Sequence, residues 1–478
     1  MVSLILSYIY ASTFFLYSLL GVNTWSYGVI GQPISFLPND ASTDSEKLVS
    51  DLLFRKLVTV DPKTGKVTND LMESYTIKGD NRIYEVKLKK DQYWSDGVEI
   101  TANDLLYTAS KNTSLREVSF DKVDDYTVSF VLPNEYSPFL SILSIPLIPQ
   151  HLADKSSKLN PVGSGDYRLV RIERDRAKVK AVYLVDTSNK APYKLLKIEF
   201  YDNEDDLITG ARLFEIDSFL LNQKKDLEGF KRKKYVFGGR NYLLIFNTEK
   251  KELDKNTRIN IKNSINFKKL MATQEYEAGE VPKGPFSHTW AQDPNLDTSQ
   301  KFNPVKIDID RSLKLVAPDV RQARLIAENV KEQLKKNSGL SIDVEYKPAA
   351  DFTTSVRDVD YDIIVMAHEY GFDPDRYIFW HSSQNNIGLN YSNYSSIRTD
   401  KALTEGREEL DMEKRKKHYT TFETVFDEEV PAFFIVHPTQ FLYYSSGIEK
   451  VSDSTVFYPW QILHNFSKWK KQEDTKVL

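Results

Sequence analysis

Seven histidines, His151, His288, His368, His381, His418, His437 and His464, are the side chains from which a metal site or a general base would be built. Their spacings include neither HExxH nor HxH, which would set two imidazoles on one face of a helix or strand, so no metal is expected. Gly163, Ser164 and Gly165 lack the glycine spacing of a nucleophile elbow and run on to Tyr167 rather than into a helix, which makes them a turn. No GxxxxGKS/T or GxGxxG loop offers backbone amides to phosphates. Adjacent carboxylates such as Asp205 and Asp206, or Glu428 and Glu429, point about 100° apart on a helix and suit solvent better than a glycosidase acid pair. The residues make no positive case for catalysis. The expectation is a protein that is not an enzyme and carries no cofactor.

Composition narrows the remaining classes. At about 150 residues per domain, 478 residues are enough for two or three packed domains. Lys plus Arg (64) nearly balances Asp plus Glu (68), and the net charge of −4 leaves no basic field for nucleic acid. A hydrophobic share of 41% beside 28% charged residues excludes a disordered chain and a polytopic membrane protein alike. The absence of cysteine removes disulfides, thiolate metal sites and a lipidated anchor together. Aromatic residues, 12% of the chain, serve either a large core or a cleft that accepts varied apolar groups.

Met1 to Val22 carries no charged side chain, and the first in the chain is Asp40. As a helix this stretch reaches roughly 33 Å, enough to cross a hydrocarbon core of about 30 Å. It has no basic flank and no convincing small-x-small cleavage site, so an uncleaved N-terminal anchor is expected over a removed signal peptide, with the rest of the chain outside the cytoplasm.

Beyond it, Ser26 to Ile34 reads as a strand, and Gly28, Gly31 and Pro33 place it at a sheet edge or make it irregular. Tyr84, Val86 and Leu88 alternate with charged residues, as do Tyr126, Val128 and Phe130 with polar ones, the period of strands with one buried face. Between them Ser95, Asp96 and Gly97 form a turn, and Thr101 with Asp104 caps a helix from Ala102. The second half changes to a βαβαβ-like pattern from Leu313 to Met366. A helix from Asp319 carries Val320, Ala323, Ile326, Ala327, Val330 and Leu334 on one face and stops at Gly339. A strand at Ser312 to Val316 precedes it, and strands at Leu340 to Tyr346 and Tyr361 to Met366 follow, in a parallel sheet. Two compositionally different halves predict two lobes.

A series of motifs then falls in a recognisable order. Leu71 to Tyr75, Tyr84 to Leu88, Trp94-Ser95-Asp96-Gly97 and Thr101 to Asp104 are followed by Asn160 to Tyr167 and by Tyr242 to Thr248. Tyr361 to Ile364, Asp373-Pro374-Asp375, Phe379-Trp380, Asn390 to Tyr394 and Pro431-Ala432 complete it. The set resembles the family 5 extracellular solute-binding proteins, the peptide-binding and in some members nickel-binding components of ABC importers. The resemblance implies an α/β and α+β, two-lobed periplasmic-binding-protein fold of type II with an extra first-lobe subdomain, preceded by the hydrophobic helix. Expected boundaries are residues 1–23 for the anchor or signal, 24–241 for lobe I with its inserted subdomain, 242–431 for lobe II, 432–470 for a return to lobe I and 471–478 for a tail. The implied function is capture of peptides in an interlobe cleft and their delivery to an ABC permease. A sensory or surface-interaction protein on the same fold is the alternative.

The resemblance also nominates ligand-binding residues: Gln32, Tyr242, Ala367, His368, Glu369 and Trp380. Gln32 lies near the end of the first strand, where members contact ligand, and Tyr242 matches an interlobe aromatic. Ala367, His368 and Glu369 stand at the carboxyl end of a second-lobe strand, where parallel sheets bind ligands. Many peptide-binding members place an aspartate there for the ligand's ammonium group; Glu369 is one residue out of register with it when Asp373-Pro374 is the anchor. Four of the nominees also fit a structural role: Gln32 in a turn, Tyr242 and Trp380 in the core, His368 as a buried histidine. Asp373 and Asp375 are expected to cap the helix that follows.

Overall fold

The computed structural model describes residues 23–271, 279–295, 301–350, 352–451 and 456–471. The segment on which the expected anchor falls, 1–22, lies outside them, as do residues 472–478 of the expected tail. Among the described residues no helix is long and apolar enough to cross a membrane.

The first strand, β1 (Thr24–Ile30), is not at an edge. It runs through the middle of a seven-stranded sheet, parallel to β10 (Leu195–Tyr201) on one side and β11 (Ser218–Leu221) on the other. Gly28 is there for close approach, since a Cβ would lie 2.6 Å from the side chains of Leu207 and Ile216. Gly31, at φ 102°, and Pro33 fall past the strand's end. The sheet order is β12 (Phe230–Val236), β18 (Thr439–Ser445), β11, β1, β10, β9 (Lys178–Asp186) and β8 (Tyr167–Asp175). Helix α1 (Asp44–Leu53) packs beneath it, and a hairpin of β2 (Val58–Val60) and β3 (Val67–Asn69) follows.

An antiparallel four-stranded sheet is inserted next: β4 (Met72–Lys78), β5 (Ile83–Leu88), β7 (Thr127–Val131) and β6 (Ser119–Asp124), in that spatial order. The two-residue period does its work here. Tyr84, Val86 and Leu88 of β5 and Val128 and Phe130 of β7 are buried, while Tyr126 stays in the preceding turn and donates its hydroxyl to Glu99 at 2.6 Å. Helix α2 (Ala102–Lys111) is capped by the Asp104 carboxylate, which accepts from the N–H of Thr101 at 2.9 Å and of Gln150 at 2.8 Å.

The second half forms a five-stranded sheet in the order β15 (Ile342–Lys347), β14 (Leu313–Pro318), β16 (Ile363–Glu369), β13 (Arg240–Phe246) and β17 (Ala432–Val436). β14 is parallel to both β15 and β16, as the βαβ pattern predicts; β13 joins antiparallel to β16 and β17. The crossover helix α3 is Arg321–Ser338, two residues later than expected, because Asp319 still donates its N–H to the carbonyl of Lys347 at the end of β15, at 2.7 Å, and Val320 is still extended. Gly339 ends it at φ 77°. Both faces of this sheet are covered. Along β13, Tyr242, Leu244 and Phe246 enter one apolar cluster, and Leu243 and Ile245 enter another on the opposite face. At roughly 1.5–3 kcal/mol for each fully buried aliphatic side chain, these clusters make the second lobe a rigid wall.

The chain crosses between the two sheets twice, through 237–239 and through His437 and Pro438. The expected boundary at 431 therefore moves, since Ala432–Val436 is still a strand of the second sheet. His437, fully buried, braces both crossings. Its Nδ1 lies 3.1 Å from the carbonyl of Arg240, which can only accept, so Nδ1 carries the proton and Nε2 accepts from the Ser287 hydroxyl at 2.8 Å. Burial, with His288 beside it, pushes its pKa down to about 3 and keeps the ring neutral.

At the other end of β1 the loop to α1 is tied to one carboxylate. Glu46 accepts from the N–H groups of Ile34 at 2.6 Å, Ser35 at 3.1 Å, and Ser42 and Thr43 at 3.0 Å each. Burial opposes its charge, but these four donors outweigh it and hold the carboxyl at about 2, against an ordinary 4.5. A depressed folded value gives stability that is present above the ordinary pKa and lost as pH falls from about 4.5 towards 2, by up to about 3 kcal/mol. Glu46→Gln is expected to cost about 2 kcal/mol at neutral pH and to flatten the pH dependence in that window. Denaturant melts of both proteins between pH 3 and 7 check this, and parallel pH slopes would contradict it.

Candidate functional site

A cavity of about 890 Å³ lies between the two walls, within the range of small-molecule and peptide sites. The first wall comes from the end of α2 and the segment after it, Asn112 to Val118, and from the stretch after β7, Leu132 to Ile145. The second comes from the loop that follows β16, Glu369 to Phe379, and from the C-terminal end of α4 (Ile397–Glu408). Tyr458, on the segment returning after β18, completes it.

The loop after β16 is shaped by an arginine that never reaches the cavity. Arg376 is buried, donates its Nε to the carbonyl of Pro285 at 2.9 Å and stacks 3.9 Å from the Tyr370 ring. Arg376, not an aspartate, holds the N-cap position of the short helix Tyr377–Trp380, and no side chain caps it; Asp375 accepts from the N–H of Tyr377 at 3.0 Å and Asp373 from that of Asp375 at 2.9 Å, each closing a turn ahead of the helix. Asp373 does not cap; it takes a two-pronged bond from Arg415 of α5 (Met412–Glu429), at 2.8 and 3.0 Å, which pins the loop to that helix.

Two sets of contacts join the walls, one at each side of the cavity. On one side Arg240, first residue of β13, reaches Asp44 of α1 at 3.2 Å and Glu369 at 2.9 Å, and Lys47 of α1 reaches Glu369 at 3.3 Å. Arg240 and Glu369 are directly paired across the β13–β16 ladder, so the backbone register itself sets the acceptor beside the donor. Burial works against the Glu369 charge, but Lys47 and Arg240 prevail and hold its carboxyl below the usual range. Lys47 also sits 4.4 Å over the Trp460 ring. On the other side Arg407 donates to Asp375 at 2.7 Å and stacks on Tyr377 at 4.0 Å and on Tyr136 of the first wall at 5.0 Å. Ser137 donates its N–H at 2.8 Å and its hydroxyl at 3.0 Å to the carbonyl of Arg407.

Of the six nominated residues, Glu369 is on the cavity wall. Tyr242 and Ala367 are ladder partners two positions along from the Arg240–Glu369 pair, packed in the apolar cluster on one face of the sheet, and neither lines the cavity. His368 and Trp380 are core residues instead. Strand alternation turns His368 to the opposite face, where Phe379 and Trp380 pack on its ring and Trp380 meets Phe426 at 4.7 Å. Burial, with Arg376 nearby, pushes the His368 pKa down to about 3 and keeps it neutral. Gln32 is spent elsewhere, its side-chain oxygen accepting from the N–H of Val179 on β9 at 3.0 Å. Tyr136, Phe372, Asp375, Tyr377, Arg407 and Tyr458 line the site without having been nominated. They come from four separate stretches of chain, and no local spacing joins them. Among the described residues no three His, Asp or Glu side chains gather as metal ligands.

The walls hold aromatic faces and paired charges around a space open to a guest, an arrangement for binding and closing. Comparison with known proteins gives the same picture. The oligopeptide-binding protein AppA of Bacillus subtilis is 24% identical over 92% of this chain and 90% of its own. Its solved structure in complex with a nonapeptide superposes with a TM-score of 0.73 at 20% identity, over 94% of this chain and 99% of that one. NikZ from Campylobacter jejuni, solved with Ni(L-His), gives 0.74 at 22% identity over the same shares. These likenesses show the two-lobed, mixed α/β periplasmic-binding-protein fold. The model of the bacterial extracellular solute-binding proteins, family 5, matches residues 66–389, well over half the chain. This chain belongs to the family 5 bacterial extracellular solute-binding proteins.

Proposed function

We propose that the chain captures peptides in the interlobe cavity and hands them to the permease of an ABC importer, outside the cytoplasm and without chemistry of its own. The observation that carries this reading is a cavity of about 890 Å³ whose walls belong to different lobes, which touch through Arg240–Asp44 and Lys47–Glu369 and again through Ser137–Arg407. A guest between such walls binds the closed arrangement better than the open one, and closure is what a transporter can recognise. The curated relative named for oligopeptide binding supports the class of guest. Residues 1–23 serve as the anchor or signal in this proposal, which keeps the capturing body at the membrane face.

Glu369 has a different role here from the one expected of it. Its carboxylate already faces Arg240 and Lys47, so its work is to fasten the lobes rather than to seat the guest's ammonium group. Glu369→Gln is expected to weaken free-amine and N-acetylated peptides alike, by about two- to fivefold, the scale of a half-exposed ion pair. Isothermal titration with both peptides decides it, and a loss confined to the free amine would restore the ammonium role.

Peptide capture itself is tested by incubating the purified full-length chain with a mixed peptide pool and recording native mass spectra. Bound peptides at micromolar concentration are expected, and a bare chain at every concentration would sink the proposal. Arg240→Gln leaves Asp44 and Glu369 without their shared cation across the seam. It is expected to shift the lobes towards the open form by about 1 kcal/mol, seen as a larger radius of gyration in small-angle scattering.

A further inference from the structure

The charge on the cavity wall narrows the class of peptide, an inference that rests on the peptide reading above. Glu117, Glu135, Glu369, Asp373, Asp375 and Glu408 line the cavity, and Arg407 is the cation among its lining residues. Three of these carboxylates are neutralised by the fold. Asp373 pairs with Arg415 and Asp375 with Arg407, while Glu369 shares a four-charge group with Lys47, Arg240 and Asp44 that sums to zero. Glu117, Glu135 and Glu408 have no hydrogen-bond or ion-pair partner among the described residues.

Two of the three are brought to one seam from opposite lobes. The carbonyl of Arg407, next to Glu408, is bonded twice by Ser137, two residues from Glu135. Closing the walls therefore gathers like charges in a space partly withdrawn from water, where their repulsion is several-fold stronger than in bulk solvent. The adjoining wall suits a cation in shape as well as in sign, since Tyr136 and Tyr377 already stack one guanidinium, that of Arg407.

We infer that the guests are cationic peptides, bearing lysine or arginine side chains whose charge the closed walls lack. Such a side chain offsets the repulsion only when the lobes are shut, so its charge adds to affinity and to closure together. An acidic guest adds to the repulsion and is rejected by the same walls.

The full chain is titrated calorimetrically with Ala-Lys-Ala-Lys-Ala, with the same peptide acetylated on both lysine side chains, and with Ala-Glu-Ala-Glu-Ala, each at low and high salt. The lysine peptide is expected to bind at least about tenfold more tightly than its acetylated form, with the acidic peptide weakest and the gap narrowing at high salt. Replacing Glu117, Glu135 and Glu408 together by Gln is expected to bring the lysine peptide and its acetylated form within about threefold of each other, and an unchanged thermal melt certifies that the variant is folded. Equal affinity for the lysine and acetylated peptides, or a full preference surviving in the folded triple variant, overturns the charge inference and leaves peptide capture standing. Failure of all three peptides to bind overturns both.

Discussion

Arg240 leaves the interlobe crossing as the first residue of β13, and its guanidinium reaches one lobe at Asp44 and the other at Glu369. Everything the cavity does depends on that contact being weak enough to break. The acids are half-exposed and the arginine is a quarter exposed, so each pair contributes on the order of 1 kcal/mol. The matching seam at Arg407 and Ser137 adds three hydrogen bonds, two from Ser137 and one from the Tyr136 hydroxyl to Asp375, and the stack of Arg407 on Tyr136, each of similar modest size. Two weak fastenings on either side of a cavity give an open–closed balance of a few kcal/mol, which is the range a bound guest can tip.

The same balance would be useless if the walls themselves yielded. The five-stranded sheet is packed on both faces, and the charges that shape the second wall are held by buried arginines, Arg376 under the loop and Arg415 behind Asp373. Compliance is left to the short crossings through 237–239 and His437–Pro438. Even there the neutral His437 ring fixes one strand to the other, so motion is confined to rotation about a braced pair of links.

Much of this fold is legible in the sequence because period-two and helical patterns depend on local burial. β5, β7 and the β14–α3–β15–β16 unit all follow that rule. β1 escapes it: glycine marks both an irregular edge and a place where side chains press against the backbone, and Gly28 is the second kind. The same alternation that identifies β16 also separates His368 from Ala367, a signal the sequence carries and which sends His368 into the core, against Trp380. The seam is illegible for a different reason. Tyr136 meets Asp375 across 239 positions and Ser137 meets Arg407 across 270, and no periodicity encodes contacts formed only when two finished lobes come together.

Because the chain has no cysteine, one label pair can be placed without background: Asp121→Cys on the exposed face of β6 and Lys401→Cys on α4. Spin-label distance distributions between these positions, recorded with and without a saturating peptide, read lobe closure directly. The account predicts that peptide collapses the distribution onto a single short distance. A distribution that stays the same while peptide is demonstrably bound would contradict it.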